Sequence, residues 1–291
     1  MENDHKDISG LIFKIKRFSV HDGPGIRTTV FFKGCPLNCV WCHSPEGISP
    51  DISIWHDKNS CIACGQCVEV CPLKALRLLK TDSENIIEIN REICNLTGNC
   101  VKICPADAIR FTGSVISVSG LLSEIEKDIV FYETSGGGVT LSGGEALHQP
   151  EFAEAVLRVC KEKNIHTAIE TCLFAEKEII KSISRFTDLF IIDLKLFDPA
   201  YHRHFTGQSN EVILENFLYL ASTGKEMVVR IPLVPGITDI RENLDSIEKL
   251  VSSTGRDIPI EYIDYNPLAR NNYEKLNLPF PQDEIRSSNV R

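Results

Sequence analysis

The sequence predicts an α/β protein: a partial parallel barrel of about six β/α units, interrupted early by a small cysteine-rich insert. Three observations carry this. Apolar strand-like runs alternate with amphipathic helical stretches from Ser114 onward. The run "RTTVFF" (Arg27–Phe32) adds one strand upstream. Ten of the twelve cysteines fall between Cys35 and Cys104, in three bunches.

Taken in order, "RTTVFF" is β-branched and aromatic and leads straight into the first cysteine bunch. Between about Asp51 and Thr112 cysteines recur, proline follows Cys71 and Cys104, and helical stretches are short, as in a domain stabilised by metal more than by a core. "GVTLSG" then reads as a strand, and Pro150 opens the helix "PEFAEAVLRVCKEKN". "HTAIET" is the next strand and "EKEIIKSISRF" the next helix. "DLFIIDLK" is apolar almost throughout, as a strand buried on both faces of a parallel sheet must be. "EVILENFLYLAST" is helical and stops at Gly224; "EMVVRIPLV" is a strand, "RENLDSIEKLVSS" a helix and "IPIEYIDY" the last clear strand. The tail from Asn271 shows neither strand nor helix. The division expected is 1–50 for the first part of the barrel, 51–112 for the insert and 113–291 for the remainder of the barrel.

Composition limits the function classes. A formal net charge of −9 over 291 residues argues against a general nucleic-acid binder. The N-terminal "MENDHKDISG" is polar, and no run is long and apolar enough to cross a bilayer, so a cytoplasmic protein without a membrane partner is expected. In a reducing compartment, tight cysteine clusters bind metal more often than they pair.

The loop "GCPLNCVWCHSPEG" holds Cys35, Cys39 and Cys42 as C-x3-C-x2-C. Three thiolates can ligate three irons of a [4Fe–4S] cluster and leave the fourth open to an amine and a carboxylate. The alternative is a zinc site completed by His43. Other polar groups recur where a barrel keeps its working residues, at strand C-termini: "SGGE", "ET", "DLK", "RIP" and "YNP".

At this point the chain resembles the radical S-adenosylmethionine superfamily and, within it, the activating enzymes of glycyl radical enzymes. The resemblance rests on "FSVHDGPGIRTTVFFKGCPLNCVWCHSPEG" (Phe18–Gly47), "TSGGGVTLSGGEAL" (Thr134–Leu147), "DLK", "RIPLVPGITD" and "YNPLA". It implies a partial (β/α)6 radical SAM barrel with an inserted ferredoxin-like domain. It also implies that Cys35, Cys39 and Cys42 bind the catalytic [4Fe–4S] cluster, with S-adenosylmethionine on the open iron. Trp41 and His43 flank the adenine, and Gly143, Gly144 and Glu145 lie near the methionyl amine, where a carboxylate suits an ammonium. Asp193, Leu194, Lys195, Arg230 and Asn266 line the cofactor pocket. Glu170, Thr171, Asp193 and the Ile191 carbonyl surround a monovalent cation, since two neighbouring carboxylates otherwise repel; a helix-capping role is the alternative. Asp22 lies near the bound peptide of the partner, unless "DGPG" is simply a turn.

"CIACGQCVEVCP" resembles the C-x2-C-x2-C-x3-C-P run of bacterial ferredoxins, in which the fourth cysteine serves the other cluster. That implies one auxiliary cluster on Cys61, Cys64, Cys67 and Cys104. The second run, "CNLTGNCVKICP", has Thr97 where a cysteine is expected, which leaves Cys71, Cys94 and Cys100. A further ligand, a three-iron cluster or an unstable cluster all remain open, so one or two auxiliary [4Fe–4S] clusters are implied. They would pass electrons from a flavodoxin or ferredoxin-type reductant, unless the insert is structural or a docking surface. Cys160 and Cys172 read as buried apolar residues.

The reaction implied is reductive cleavage of S-adenosylmethionine to methionine and a 5′-deoxyadenosyl radical. That radical abstracts a hydrogen from a glycine of a partner glycyl radical enzyme of lyase, dehydratase or decarboxylase type. Two alternatives stand beside it: a radical enzyme acting on a small molecule or peptide, and a non-catalytic ferredoxin-like electron carrier.

Overall fold

The computed structural model describes residues 8–80 and 85–281. The chain opens with β1 (Ser9–Ser19) and β2 (Arg27–Phe32). The insert contributes β3 (Ile54–His56), β4 (Leu76–Lys80), β5 (Asn85–Ile89) and β6 (Ile109–Phe111). After it come β7 (Ser114–Ser117), β8 (Gly138–Gly143), β9 (His166–Thr171), β10 (Leu189–Asp193), β11 (Glu226–Leu233) and β12 (Ile260–Asp264).

Eight of these strands form one sheet in the order β12-β11-β10-β9-β8-β2-β1-β7. The six from β2 through β12 pair in parallel, as the β/α alternation predicts, and β1 lies antiparallel to both β2 and β7. The parallel strands are apolar because helices cover their outer faces. The helix Pro150–Glu162 buries Phe152, Val156, Leu157 and Cys160; Lys177–Ser184 buries Ile180 and Ile183; Glu211–Ser222 buries Ile213, Phe217 and Leu220; Arg241–Ser253 buries Ile247 and Val251. These side chains join Val30, Phe32, Leu141, Ile169, Phe190 and Val229 in the main core. Truncating a fully buried aromatic such as Phe190 costs about 3–5 kcal/mol in such a setting.

Two elements depart from the sequence reading. The long strand β1 was not expected, because Lys14, Lys16 and Arg17 interrupt its apolar pattern; only one face of it is covered. The tail carries a helix, Ala269–Leu276, whose buried Ala269, Tyr273 and Leu276 recur at helical spacing and pack with Phe280 in a cluster of their own.

Within the insert β3 pairs with β6 and β4 with β5, both antiparallel, and two short helices, Gln66–Glu69 and Asn99–Ile103, each follow a left-handed glycine, Gly65 and Gly98. Its buried cluster is small, and Cys67 and Cys100 are part of it.

Candidate active site

Strand register sets the site. Phe32 pairs with Gly143, Ile192 with Thr171, Asp193 with Arg230 and Arg230 with Glu261, so the polar ends of five strands come level. The three-cysteine loop continues from β2 over this rim. Its backbone is fixed at several points: Gly34 N–H donates to Gly47 O (2.8 Å), Cys35 N–H to Ile48 O (2.9 Å), and Asn38 N–H to Thr206 O (2.7 Å). The "GG" of the next strand end lies directly beneath. Gly144 N–H donates to Phe32 O and Glu145 N–H to Gly34 O, both at 2.8 Å. A Cβ on Gly144 would stand 2.3 Å from the Gly47 carbonyl oxygen, and one on Gly143 would stand 2.3 Å from Phe32 N. The glycines therefore serve the approach of the cysteine loop itself.

Cys39 is buried, Cys35 and Cys42 half-buried, and all three lie against an apolar cluster of Leu37, Trp41, Cys172, Leu196, Val234 and Ile237. Burial pushes the Cys39 thiol up to about 11 and the Cys42 thiol to about 12; that of Cys35 rises further, with Glu145 adding to burial. Lys195 is a cation that favours the thiolates of Cys39 and Cys42. Three thiolates in so apolar a setting require additional positive charge, and an iron–sulfur cluster brings it. The donor set fits such a group. Among the described residues no three His, Cys, Asp or Glu side chains converge on a single ion; a cubane asks instead for one thiolate per iron.

Glu145, 2% exposed, accepts four hydrogen bonds from the chain: Leu147 N–H (3.0 Å) and Thr171 Oγ1 (2.8 Å) on one oxygen, Cys172 N–H (2.8 Å) and Cys172 Sγ (3.0 Å) on the other. Its lone pairs are spent on the protein. Glu170 accepts from Arg230 Nη1 (2.6 Å) and Ser142 Oγ (2.5 Å), while burial and the nearby Asp193 raise its pKa. Arg230 also donates to Glu261 Oε2 (2.9 Å) and to the His21 carbonyl. Asp193 accepts from Lys195 Nζ at 2.8 Å. Burial of Lys195 disfavours its charge, but Asp193 and the thiols of Cys39 and Cys172 outweigh that and raise its pKa. The repulsion between Glu170 and Asp193 is thus answered by Arg230 and Lys195.

The other expected residues are placed as follows. Trp41, 6% exposed, packs beneath the loop. His43 is exposed; the Asn266 N–H points at its Nε2 (3.4 Å), Asn272 Nδ2 donates to its carbonyl (3.0 Å), and its ring lies 6.0 Å from that of Tyr265. Asn266 Oδ1 is occupied by Leu268 N–H (2.9 Å). The Leu194 side chain belongs to the main core, so only its backbone can face the site. Ile191 is fully buried in mid-strand, in register with Glu170, and Thr171 Oγ1 accepts from Leu173 N–H (2.9 Å). Asp22 accepts from Thr29 Oγ1 (2.6 Å), and its carbonyl accepts from Thr140 Oγ1 (2.6 Å), which holds the "DGPG" turn on β2 and β8.

In the insert, Cys61, Cys64, Cys67 and Cys104 line one cavity, and Cys71, Cys94, Cys100 and Thr97 line another. The sequence reading missed Ser142 and Cys172. Serine after a strand carries no signal, and Cys172 declares itself only through its spatial pairing with Glu145. The largest cleft, about 670 Å³, lies elsewhere, between β5 and the helix Ala269–Leu276.

Two family models match the chain: the Radical SAM superfamily over residues 92–249 and the 4Fe-4S dicluster domain over residues 60–108. The first begins inside the insert, downstream of the Cys35–Cys42 loop; full-length relatives span both. The trans-4-hydroxy-L-proline dehydratase activating enzyme of Clostridioides difficile is 40% identical over 95% of this chain and 91% of its own length. The choline trimethylamine-lyase activating enzyme of Oleidesulfovibrio alaskensis is 39% identical over 93% and 88%. The benzylsuccinate synthase activating enzyme of Thauera aromatica is 41% identical over 81% and 72%. With a parallel half-barrel, a three-thiol loop on its rim and relatives matched over nearly their whole length, the chain belongs to the radical SAM superfamily and, within it, to the activating enzymes of glycyl radical enzymes.

Proposed function

We propose that this enzyme installs a radical on a glycine of a partner of the lyase, dehydratase or decarboxylase kind, the kinds named among its relatives. The observation that carries the reading is the seating of Cys35, Cys39 and Cys42 in an apolar nest at the strand C-termini, beside Lys195 and above Gly143 and Gly144. When bound there, a [4Fe–4S] cluster supplies the electron that splits S-adenosylmethionine to methionine and a 5′-deoxyadenosyl radical, which takes the glycine hydrogen.

The chain's own residues bind and orient. Lys195 and Arg230 are the cations available to the cofactor carboxylate, each able to turn from the side chain it now holds. A monovalent cation among Glu170, Thr171, Ile191 and Asp193 belongs to the same reading, taking over the charge balance once they turn. Glu145 positions the "GG" turn through Thr171 and Cys172, so the amine is left to backbone carbonyls and Glu170. His43, with Tyr265 and Asn266 beside it, offers the ring edge for adenine, and Trp41 supports the loop from below. Asp22, on the turn at the foot of β2, is the candidate contact for the partner's glycine loop. Auxiliary clusters in the insert, fed by a flavodoxin or ferredoxin-type reductant, and the division at 50 and 112 complete the proposal.

The test is anaerobic reconstitution followed by reduction with S-adenosylmethionine present. Cys39→Ala should abolish 5′-deoxyadenosine formation while the insert keeps its iron; retained cleavage refutes the assignment. Adding the partner should give a glycyl doublet in electron paramagnetic resonance. Cleavage with no doublet for any glycyl radical enzyme tried would move the reading to a small-molecule substrate.

A further inference from the structure

The insert repeats itself at a fixed offset of 33 positions: Cys61 and Cys94, Cys67 and Cys100, Cys71 and Cys104. The same offset takes Cys64 to Thr97. The backbone repeats with it. Cys64 lies between Ala63 (φ 50°) and Gly65 (φ 79°), and Thr97 between Leu96 (φ 58°) and Gly98 (φ 77°). Each glycine opens a short helix, Gln66–Glu69 or Asn99–Ile103. Beyond it, Ala75 N–H donates to Cys71 Sγ and Ala108 N–H to Cys104 Sγ, both at 3.3 Å. Thr97 therefore occupies the corner of the second cavity that Cys64 occupies in the first, and both residues are exposed.

The two cavities are of equal size, each about 300 Å³ including space open to solvent. Four thiols line the first. The second has Cys71, Cys94 and Cys100, and its described lining holds no further thiol, no imidazole and no carboxylate. A threonine hydroxyl is no substitute for a thiolate, because it stays protonated at neutral pH and is a hard, weak donor to iron. The dicluster family model covers both cavities, yet the second lacks one of the four ligands that a resting cubane uses.

We propose that the second site holds its cluster by Cys71, Cys94 and Cys100 alone, with an exchangeable, solvent-held iron at the Thr97 corner. This rests on the cluster-bearing reading of the insert given above. Removal of one electron by ferricyanide converts [4Fe–4S]2+ to [3Fe–4S]+ and releases Fe2+, the oxidant leaving as ferrocyanide. Dithionite and added Fe2+ reverse the change.

The loop Cys35–Cys42 has the same three-thiol character, so the test uses the full chain carrying Cys35→Ala, Cys39→Ala and Cys42→Ala. After anaerobic reconstitution with iron and sulfide, ferricyanide should release about one iron per chain to a chelator and produce the narrow resonance of an oxidised three-iron cluster. Thr97→Cys added to this background should abolish both. Cys64→Thr, the reciprocal change, should roughly double both. Retention of all iron through oxidation, or uptake of iron by the first site alone, would overturn the inference while leaving the first auxiliary cluster intact. Failure of both sites to take up iron would instead remove the reading on which it rests.

Discussion

Glu145 is the residue at which composition and role part most clearly. A glutamate after two glycines suggests a carboxylate offered to a ligand, but its four contacts to Leu147, Thr171 and Cys172 make it an internal tie between the ends of β8 and β9. Glu145→Ala strands the buried Cys172 N–H and Thr171 hydroxyl, at about 1–3 kcal/mol for each unsatisfied group. A melting temperature several degrees lower is expected, together with weakened S-adenosylmethionine binding by calorimetry. Cys172→Ser keeps both donors and should change stability by less than about 1 kcal/mol. Equal effects from the two substitutions would show that the carboxylate is not the tie. Nothing local in the sequence separates these two behaviours, because hydrogen-bond saturation is a property of three strand ends meeting in space.

At the scale of elements, the cysteine loop and the Gly143–Gly144 turn form one unit, with backbone packed on backbone. Gly144→Ala places a methyl 2.3 Å from the Gly47 carbonyl oxygen and 2.5 Å from that of Gly34, and neither atom can move without shifting the loop. The variant should fold but lose the catalytic cluster's share of iron and visible absorbance. Gly224→Ala is the control: open space surrounds its Cβ, and the φ of +77° costs only about 1–2 kcal/mol, with iron content unchanged. Loss of iron in both variants would count against a steric cause. The parallel strands were legible because burial on both faces leaves an unbroken apolar run, as in "DLFIID". β1 was not, since its solvent face carries Lys14 and Lys16. The helix Ala269–Leu276 had its signal in the spacing of Ala269, Tyr273 and Leu276, masked by a mostly polar tail.

On the scale of the whole molecule, the six parallel strands do not close: β12 ends the sheet on one side and β7 on the other. A lateral gap of this kind is what a partner's loop would need. Across the other side of the site, the helix Ala269–Leu276 binds the insert. Lys275 pairs with Asp57 at 2.9 Å and lies 5.2 Å from the centre of the Trp55 ring, while Arg91 donates to the Lys275 carbonyl. Lys275→Ala removes an ion pair and a cation–π contact, together about 1–2 kcal/mol. Amide exchange should quicken in β3 and β6, with the parallel strands unchanged; uniform acceleration would mean that insert and barrel unfold as one.

The same short rod also holds His43 through Asn272, one turn away from its grip on Asp57. A reductant that presses on the ferredoxin-like module therefore leans on the wall against which a nucleoside would rest. Electron arrival and nucleoside seating share a mechanical linkage, and a docking event at one end has a direct route to be felt at the other.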